Sequence, residues 1–235
     1  MYQRFLNILY PLSCPFCGRI LGKSVARICG NCEKKIIYMK EPRCKRCGKP
    51  IRTQEAEFCL DCQRGRFCYD QGKSLYLHQS PVKEAVYQLK YHNKRIYGEM
   101  FAQELYRIYK EQIKSWGVDV ILPVPLHHKR RKKRGYNQAE LIATELGKLT
   151  SLSVETDAVY RVKNTNPQKV LDNRNRAKNL SHAFAVSRKW RVRPVVLLID
   201  DIYTTGSTIN SVAKILKKRG VQKVYFLTIS IGQGL

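Results

Sequence analysis

Acidic residues are scarce in this 235-residue chain, which has 18 Asp and Glu against 44 Lys and Arg and a formal net charge of +26. Long apolar runs are absent too, since no stretch approaches the ~18 apolar residues of a membrane helix. Residues 1–13 lack the apolar core of a secretory signal, so we expect a soluble, cytoplasmic protein. Because so many cations repel one another unless polyanions bind, phosphate-bearing ligands or nucleic acids are the favoured partners.

Cysteine is plentiful, and eight of the nine cysteines form four Cys-x-x-Cys pairs in two copies of one unit, offset by 30 residues. Two intervening residues let a tight turn direct both sulfurs at one tetrahedral zinc ion. Disulfides are the competing interpretation, which a reducing compartment disfavours. Pairing in chain order keeps each loop short, although interleaved pairing stays open. The predicted ligands of this double zinc ribbon are Cys14, Cys17, Cys29, Cys32, Cys44, Cys47, Cys59 and Cys62.

Two domains are expected: the zinc ribbons in residues 1–70 and an α/β domain in residues 71–235. The zinc module is interpreted either as a contact platform for protein or DNA or as a stabilising element. In the second domain, short aliphatic runs alternate with amphipathic stretches, which predicts a parallel sheet with helices on both faces. Strands are predicted at 74–78, 118–124, 154–160, 195–199 and 224–231, and helices after a Ser80-Pro81 cap, at 96–114, after an Asn137 cap and at 207–218.

The strongest candidate binding site follows the strand predicted at 195–199. Two carboxylates there would lie where open α/β sheets bind ligands, and the next residues could hold a phosphate at the positive end of a helix. The alternative is an ordinary capped helix, but adjacent acids at a buried strand end are costly without a ligand or metal. A pentose phosphate fits, with Mg²⁺ beside the acids. The predicted binding residues are Asp200, Asp201, Thr204, Thr205, Gly206, Ser207 and Thr208.

Residues 195–208 resemble the 5-phosphoribosyl-1-pyrophosphate (PRPP) loop of type I phosphoribosyltransferases. The segments that resemble the ComF family, named for competence protein F, are residues 121–126, 134–139 and 183–184 together with Gln168, Leu171, Arg176 and Asn179. This resemblance covers essentially the whole chain and implies a type I phosphoribosyltransferase fold. It also implies a bacterial protein of the cytoplasm, or of the inner face of the membrane, that works with DNA-uptake proteins. Its expected role is to handle incoming single-stranded DNA during natural transformation.

Six consecutive cations occupy residues 129–134, and this charge density predicts a mobile loop. In the phosphoribosyltransferases that the chain resembles, such a loop closes over diphosphate, and Arg130 and Arg134 are the candidates for that contact. Residues 129–193 carry 17 Lys and Arg against 5 acids, which is typical of a single-strand track. Its candidate cations are Lys129, Arg131, Lys132, Lys133, Arg174 and Arg176. Its aromatic residues, Tyr136, Tyr160, Phe184 and Trp190, are interpreted as stacking platforms or equally as core.

One departure from the resemblance bears on catalysis. Purine phosphoribosyltransferases imply an acid two positions after Ile202, and this chain has Thr204 there. No general base is therefore visible. Three functions stay open: a nucleic-acid adaptor that also binds PRPP, a transferase with an unidentified acceptor, and a PRPP-sensing regulator.

Overall fold

The structure is a computed structural model that describes residues 13–22, 28–53, 55–162 and 183–233. In chain order its elements are α1 (Gly30–Glu33), α2 (Leu60–Arg64), β1 (Gln71–Leu77), α3 (Val82–Tyr91), α4 (Ile96–Ser115), β2 (Val120–Pro123), α5 (His128–Arg134), α6 (Gln138–Thr150), β3 (Ser153–Val154), β4 (Val159–Arg161), β5 (Phe184–Val186), β6 (Val195–Tyr203), α7 (Ser207–Lys218) and β7 (Lys223–Ile231). Among the described residues, no helix combines the length and the apolar character that a membrane crossing needs.

The centre of the molecule is a five-stranded sheet in the order β1-β7-β6-β2-β3, in which every neighbouring pair is parallel. Alternate residues of β6 enter opposite cores: Val196 and Leu198 pack on one face, and Leu197 and Ile199 pack on the other. Burial on both faces explains why this strand is continuously aliphatic. The predicted α/β fold with a parallel sheet is therefore confirmed.

Helices cover both faces of the sheet. Buried residues of α3, α4 and α6 form one core with the sheet, and α7 and the antiparallel β4–β5 hairpin pack on the opposite face. Asn137 caps α6 as predicted, because its Oδ1 accepts a hydrogen bond from the Ala139 amide at 3.2 Å. Helix α3 begins at Val82 with Pro81 at the N-cap, one residue later than the predicted Ser80 cap.

The cysteine-rich segment repeats its backbone geometry after 30 residues, as the sequence repeat predicts. Isolated antiparallel bridges join Ser13 to Ile20 and Arg43 to Pro50. The turns that present the first pair of each unit end at Gly18 and Gly48, with φ of 75° and 76°. Glycine adopts these positive angles without steric penalty, so the turn can close.

This cysteine-rich module also covers the outer edge of strand β1. The Gly72 amide donates to the Arg46 carbonyl at 2.7 Å, and the Leu77 amide donates to the Ile37 carbonyl at 2.9 Å. Phe16 packs edge-on against Tyr76 of β1. An uncovered edge strand would invite pairing with another chain, so the module completes the sheet as well as preceding it.

The prediction of a mobile loop at residues 129–134 is wrong, because this segment is helix α5. None of the seven residues of α5 is buried, and four of its six cations are exposed to water. Lys and Arg are good helix formers when solvated. His127 caps the N-terminus by accepting from the Lys129 amide, and Gly135, with φ of 81°, ends the helix.

Candidate functional site

Asp200 and Asp201 lie near the carboxyl end of the central strand β6. Strand β6 runs on to Tyr203, beyond the end predicted at residue 199, so both acids are strand residues and both are half-buried. The Asp201 amide donates to Asp200 Oδ1 at 2.8 Å. Lys90 Nζ of α3 lies 2.9 Å from Asp201 Oδ1. Lys90 thus offsets part of the negative charge of the two carboxylates, which a bound metal ion would also offset.

Asp200 differs from an ordinary surface carboxylate. Although its side chain is partly exposed, desolvation and the neighbouring charge of Asp201 raise the pKa of Asp200 to about 7. Lys90 and Arg161 oppose that rise by favouring the ionised form. Metal ions and ribose hydroxyls both stabilise an ionised carboxylate. Binding of either one would therefore favour the ionised form of Asp200.

Directly after β6, residues 204–206 turn the chain into helix α7. Gly206 has φ of 75° and occupies the N-cap. Thr205 Oγ1 and Ser207 Oγ are 2.7 Å apart, and the Ser207 amide approaches Thr205 Oγ1 at 3.4 Å. Hydroxyl groups therefore converge at the N-terminus of a 12-residue helix, where backbone amides and the helix dipole favour an anion.

Two buried tyrosines, Tyr203 and Tyr69, pack beside this turn. Tyr203 Oη and Tyr69 Oη are 2.6 Å apart, which satisfies both hydroxyls away from water. The Tyr203 ring stacks on Phe226 of β7 with ring centroids 4.9 Å apart. Tyr69 follows Cys62, the last cysteine of the second repeat. The buried tyrosine pair therefore connects the cysteine-rich module to the turn after β6.

The structure adds three side chains that sequence reasoning missed. From the sequence alone, Lys90 is expected to be a solvated cation on an amphipathic helix. Only the packing of α3 places its Nζ beside Asp201. Arg161 ends β4, and desolvation together with the charge of Arg130 lowers the pKa of its guanidinium to about 10. His78, at the end of β1, pairs its Nδ1 with Ser230 Oγ at 2.9 Å. No local motif signals these contacts, because each partner comes from a distant element.

The cations of α5 have different surroundings. Arg134 hydrogen-bonds Gln138 and places its guanidinium 5.0 Å from the centroid of the Tyr91 ring. The charge of Arg130 lowers the pKa of Arg161 and the charge of Asp200 raises it, so both groups lie near Arg161. Arg131 pairs with Glu140 at 3.1 Å. The exposed cations of this helix are Lys129, Arg131, Lys132 and Lys133. The other two candidates, Arg174 and Arg176, lie outside the described residues.

Most of the aromatic residues considered for base stacking belong to the core. Tyr136, Phe184 and Trp190 are buried, so the interpretation of these three as stacking platforms is wrong. Tyr160 is 49% exposed and is the only member of that set with a free face in the described chain. Burial of the others follows from tertiary packing of α6 and the β4–β5 hairpin, which local sequence does not specify.

The eight paired cysteines form two clusters in chain order, Cys14, Cys17, Cys29 and Cys32 in one and Cys44, Cys47, Cys59 and Cys62 in the other. Within each cluster the sulfurs lie within 4.8 Å of one another. Cys17 Sγ and Cys29 Sγ are 3.6 Å apart, as are Cys47 Sγ and Cys59 Sγ. Tetrahedral Zn–S bonds of about 2.3 Å require sulfur separations of about 3.8 Å, so the donor set and its spacing fit zinc. The sequential pairing is confirmed.

Comparison with known proteins agrees with these observations. A family profile described as "Double zinc ribbon domain" matches residues 5–63, which makes the two clusters zinc-binding sites. Competence protein F of Haemophilus influenzae is 31% identical, with 90% of this chain and 93% of that protein covered. DNA utilization protein YhgH of Escherichia coli K12 is 27% identical over 91% of this chain and 94% of its own length. Competence protein ComFC of Bacillus subtilis is 24% identical over 85% and 82%.

A search of solved structures finds a hypoxanthine phosphoribosyltransferase of Staphylococcus aureus. It covers 55% of this chain and 62% of its own, at 16% sequence identity and a TM-score of 0.36. A superposition this loose adds nothing to the sheet order and the site geometry given above.

Proposed function

The chain belongs to the competence protein F family, and on that premise we propose that it binds PRPP in the crevice after β6 and handles single-stranded DNA. The observation that carries the PRPP assignment is the adjacency of two half-buried carboxylates and a hydroxyl-lined turn at the N-terminus of α7. Carboxylates accept hydrogen bonds from vicinal ribose hydroxyls, and the turn accommodates the 5′-phosphate.

Each group in the crevice has a role in this proposal. Asp200 and Asp201 hold the ribose hydroxyls directly or beside Mg²⁺, which would offset the charge of the diphosphate. The 5′-phosphate contacts Thr204, Thr205, Gly206, Ser207 and Thr208. Arg130 and Arg134 of α5 remain the proposed diphosphate contacts, now presented from a helix rather than a loop. The two zinc sites contribute to folding.

Calorimetric titration with PRPP and Mg²⁺ tests the assignment. The variant Asp200→Asn/Asp201→Asn keeps the size of both side chains and removes their charges, so we expect binding to fall at least about tenfold. Asp157→Asn is the matched control, because Asp157 is an exposed carboxylate on the turn before β4. Equal affinity of the double variant and the control would refute the site.

A second candidate function is phosphoribosyl transfer to an acceptor, because the same carboxylates and hydroxyl-lined turn would hold PRPP for that reaction. The readout is diphosphate release from PRPP and Mg²⁺ with candidate base acceptors added, because the bond to diphosphate breaks as the anomeric carbon bonds to the acceptor. Release by the wild type that disappears in the double Asp variant supports a transferase. Binding with no release supports the regulator, whose ligand tunes contact with a DNA-uptake partner.

Two observations support the DNA part of the proposal. The relatives are named as competence and DNA utilization proteins, and residues 71–235 carry 30 Lys and Arg against 12 Asp and Glu. Affinity for a single strand should therefore fall steeply as salt rises, because phosphate contacts release counterions. A titration at two salt concentrations that shows no change in affinity would contradict this part.

A further inference from the structure

A pair of exposed tyrosines lies on helix α3 beside the crevice. Tyr87 and Tyr91 are 51% and 60% exposed, and their ring centroids are 4.8 Å apart. One helical turn separates the two residues, so both rings project from the same face. Large exposed aromatic side chains are rare in the described residues, where Tyr160 is the other example. Arg134 approaches the Tyr91 ring and His92 approaches the Tyr87 ring, yet at least half of each tyrosine side chain stays exposed and open to a ligand.

The surroundings of this pair, which we call the tyrosine platform, are cationic. Lys83 and Lys90 line a depression of roughly 290 Å³ together with both rings, and Glu84 is the acid among its lining residues. The guanidinium of Arg134 lies 5.0 Å from the Tyr91 ring centroid. Through Arg134 the platform is continuous with α5, which adds the exposed cations Lys129, Lys132 and Lys133.

We propose that the tyrosine platform stacks bases of single-stranded DNA whose phosphates follow the cations of α3 and α5. The inference rests on the proposed function and adds to it the surface that contacts the strand. Rings next to cations are the combination that single strands require, since bases stack on aromatic faces and phosphates pair with Lys and Arg. Double-stranded DNA keeps its bases stacked inside the helix, so the platform selects single strands.

The same surface touches the crevice. Ile202 of β6 lines the depression, and Lys90 contacts both the depression and Asp201. A stacked base therefore lies next to the proposed ribose site. The tyrosine platform lies outside the single-strand track predicted at residues 129–193. Helix α3 precedes that segment in the chain and contacts it only in the folded structure, through Tyr91 and Arg134.

Two double variants of the full chain test the inference, with a labelled oligothymidine of about 16 nucleotides and an abasic strand of equal length as probes. Tyr87→Ala/Tyr91→Ala should bind oligothymidine about tenfold or more weakly, because stacking is lost, and should bind the abasic strand as the wild type does. Tyr87→Phe/Tyr91→Phe keeps the rings and should keep the affinity. Ile108→Ala, which removes an exposed apolar side chain of α4, is the control and should change neither.

Each other result overturns the inference. Undiminished oligothymidine binding by the Ala double variant would overturn this inference and leave the proposed function standing. The tyrosine pair would then bind another partner, such as a protein. Equal losses on both strands would mean that the platform serves the backbone and not the bases. No binding of either strand by the wild type would overturn the DNA part of the proposed function as well, whereas PRPP titration of the same samples reports separately on the crevice.

Discussion

At the scale of single residues, Gly206 meets two requirements at once. Its φ of 75° lies in the left-handed region, where side chains with Cβ pay about 1 to 2 kcal/mol. A Cβ at this position would also clash with Tyr203 Oη. The turn that we propose for the phosphate therefore depends on a residue without a side chain.

Gly206→Ala should lower both stability and PRPP affinity, and Gly117→Ala separates the two causes. Gly117 has φ of 61° and nothing within 4 Å of an added Cβ, so this control carries only the backbone cost. In denaturant unfolding we expect the loss in free energy to be larger for Gly206→Ala than for the control. Calorimetry should show weaker PRPP binding for Gly206→Ala alone. Equal effects of the two variants would contradict the proposed role of this turn.

Asp200 should make ligand binding depend on pH. The pKa of its carboxyl is raised to about 7 by desolvation and by Asp201, so Asp200 is largely protonated one unit below that value and ionised one unit above it. Since Mg²⁺ and ribose hydroxyls favour the ionised form, affinity for PRPP with Mg²⁺ should rise with pH across this window.

The variant Asp200→Asn is the control for this pH dependence, because it retains the titration of the ligand phosphates and removes that of the carboxyl. Calorimetry across the window should give a steeper rise for the wild type than for the variant. Parallel profiles would show that Asp200 does not titrate in the binding step.

The residues of the crevice illustrate what a sequence can predict about a site. Asp200 to Thr208 are contiguous, so local pattern predicts the strand, the turn and the helix N-terminus, although the strand runs to Tyr203 and not to residue 199. Lys90 and Arg161 were not predictable, since they reach the carboxylates through the packing of α3 and the β4–β5 hairpin. Charge near a carboxylate has no sequence signature when the partners are about 40 to 110 positions apart.

At the scale of elements, α5 shows why charge density alone does not exclude a helix. Repulsion among its cations is screened by water because none of its seven residues is buried. Arg131 pairs with Glu140 of α6, and Arg134 bonds Gln138 of the same helix. These contacts, together with caps at both ends, fix the segment as a helix. Their partners follow α5 in the chain, and their geometry depends on the turn at Gly135.

Helix α5 should contribute phosphate contacts to single-strand binding. Removing two exposed cations, with Lys132→Ala/Lys133→Ala, should reduce the slope of log affinity against log salt by about 1.4, because each lost contact to a single strand removes about 0.7. Lys34→Ala/Lys35→Ala deletes an equally exposed lysine pair beside α1 and should leave the slope unchanged. A salt slope for the α5 variant equal to that of the wild type would contradict the contact.

At the scale of the whole molecule, the zinc module and the sheet share their cores. The first cysteine cluster packs in the same apolar cluster as α3, α4 and α6, and the second packs with α7 and the opposite face of the sheet. The Cys68 amide also donates to Asn210 Oδ1 of α7 at 2.6 Å. The sequence predicted two zinc ribbons and a separate sheet domain, but it held no signal for this docking.

Zinc removal should consequently destabilise more than the ribbons. With β1 uncovered and Tyr69 released from Tyr203, we expect a chelator to lower the melting temperature of the whole chain in one transition. Differential scanning calorimetry with and without chelator is the measurement, and added zinc should restore the original melting temperature. A chelated sample in which the sheet melts at an unchanged temperature would show that the module is independent.

The central claim is that the crevice after β6 is built for a pentose phosphate carrying a diphosphate. A crystal structure of the chain with PRPP and Mg²⁺ tests it most directly. The account predicts the 5′-phosphate within hydrogen-bonding distance of residues 204–208 and the ribose hydroxyls at Asp200 and Asp201 or at Mg²⁺ beside them. A ligand held only by the cations of α5, with the turn before α7 unoccupied, would contradict it.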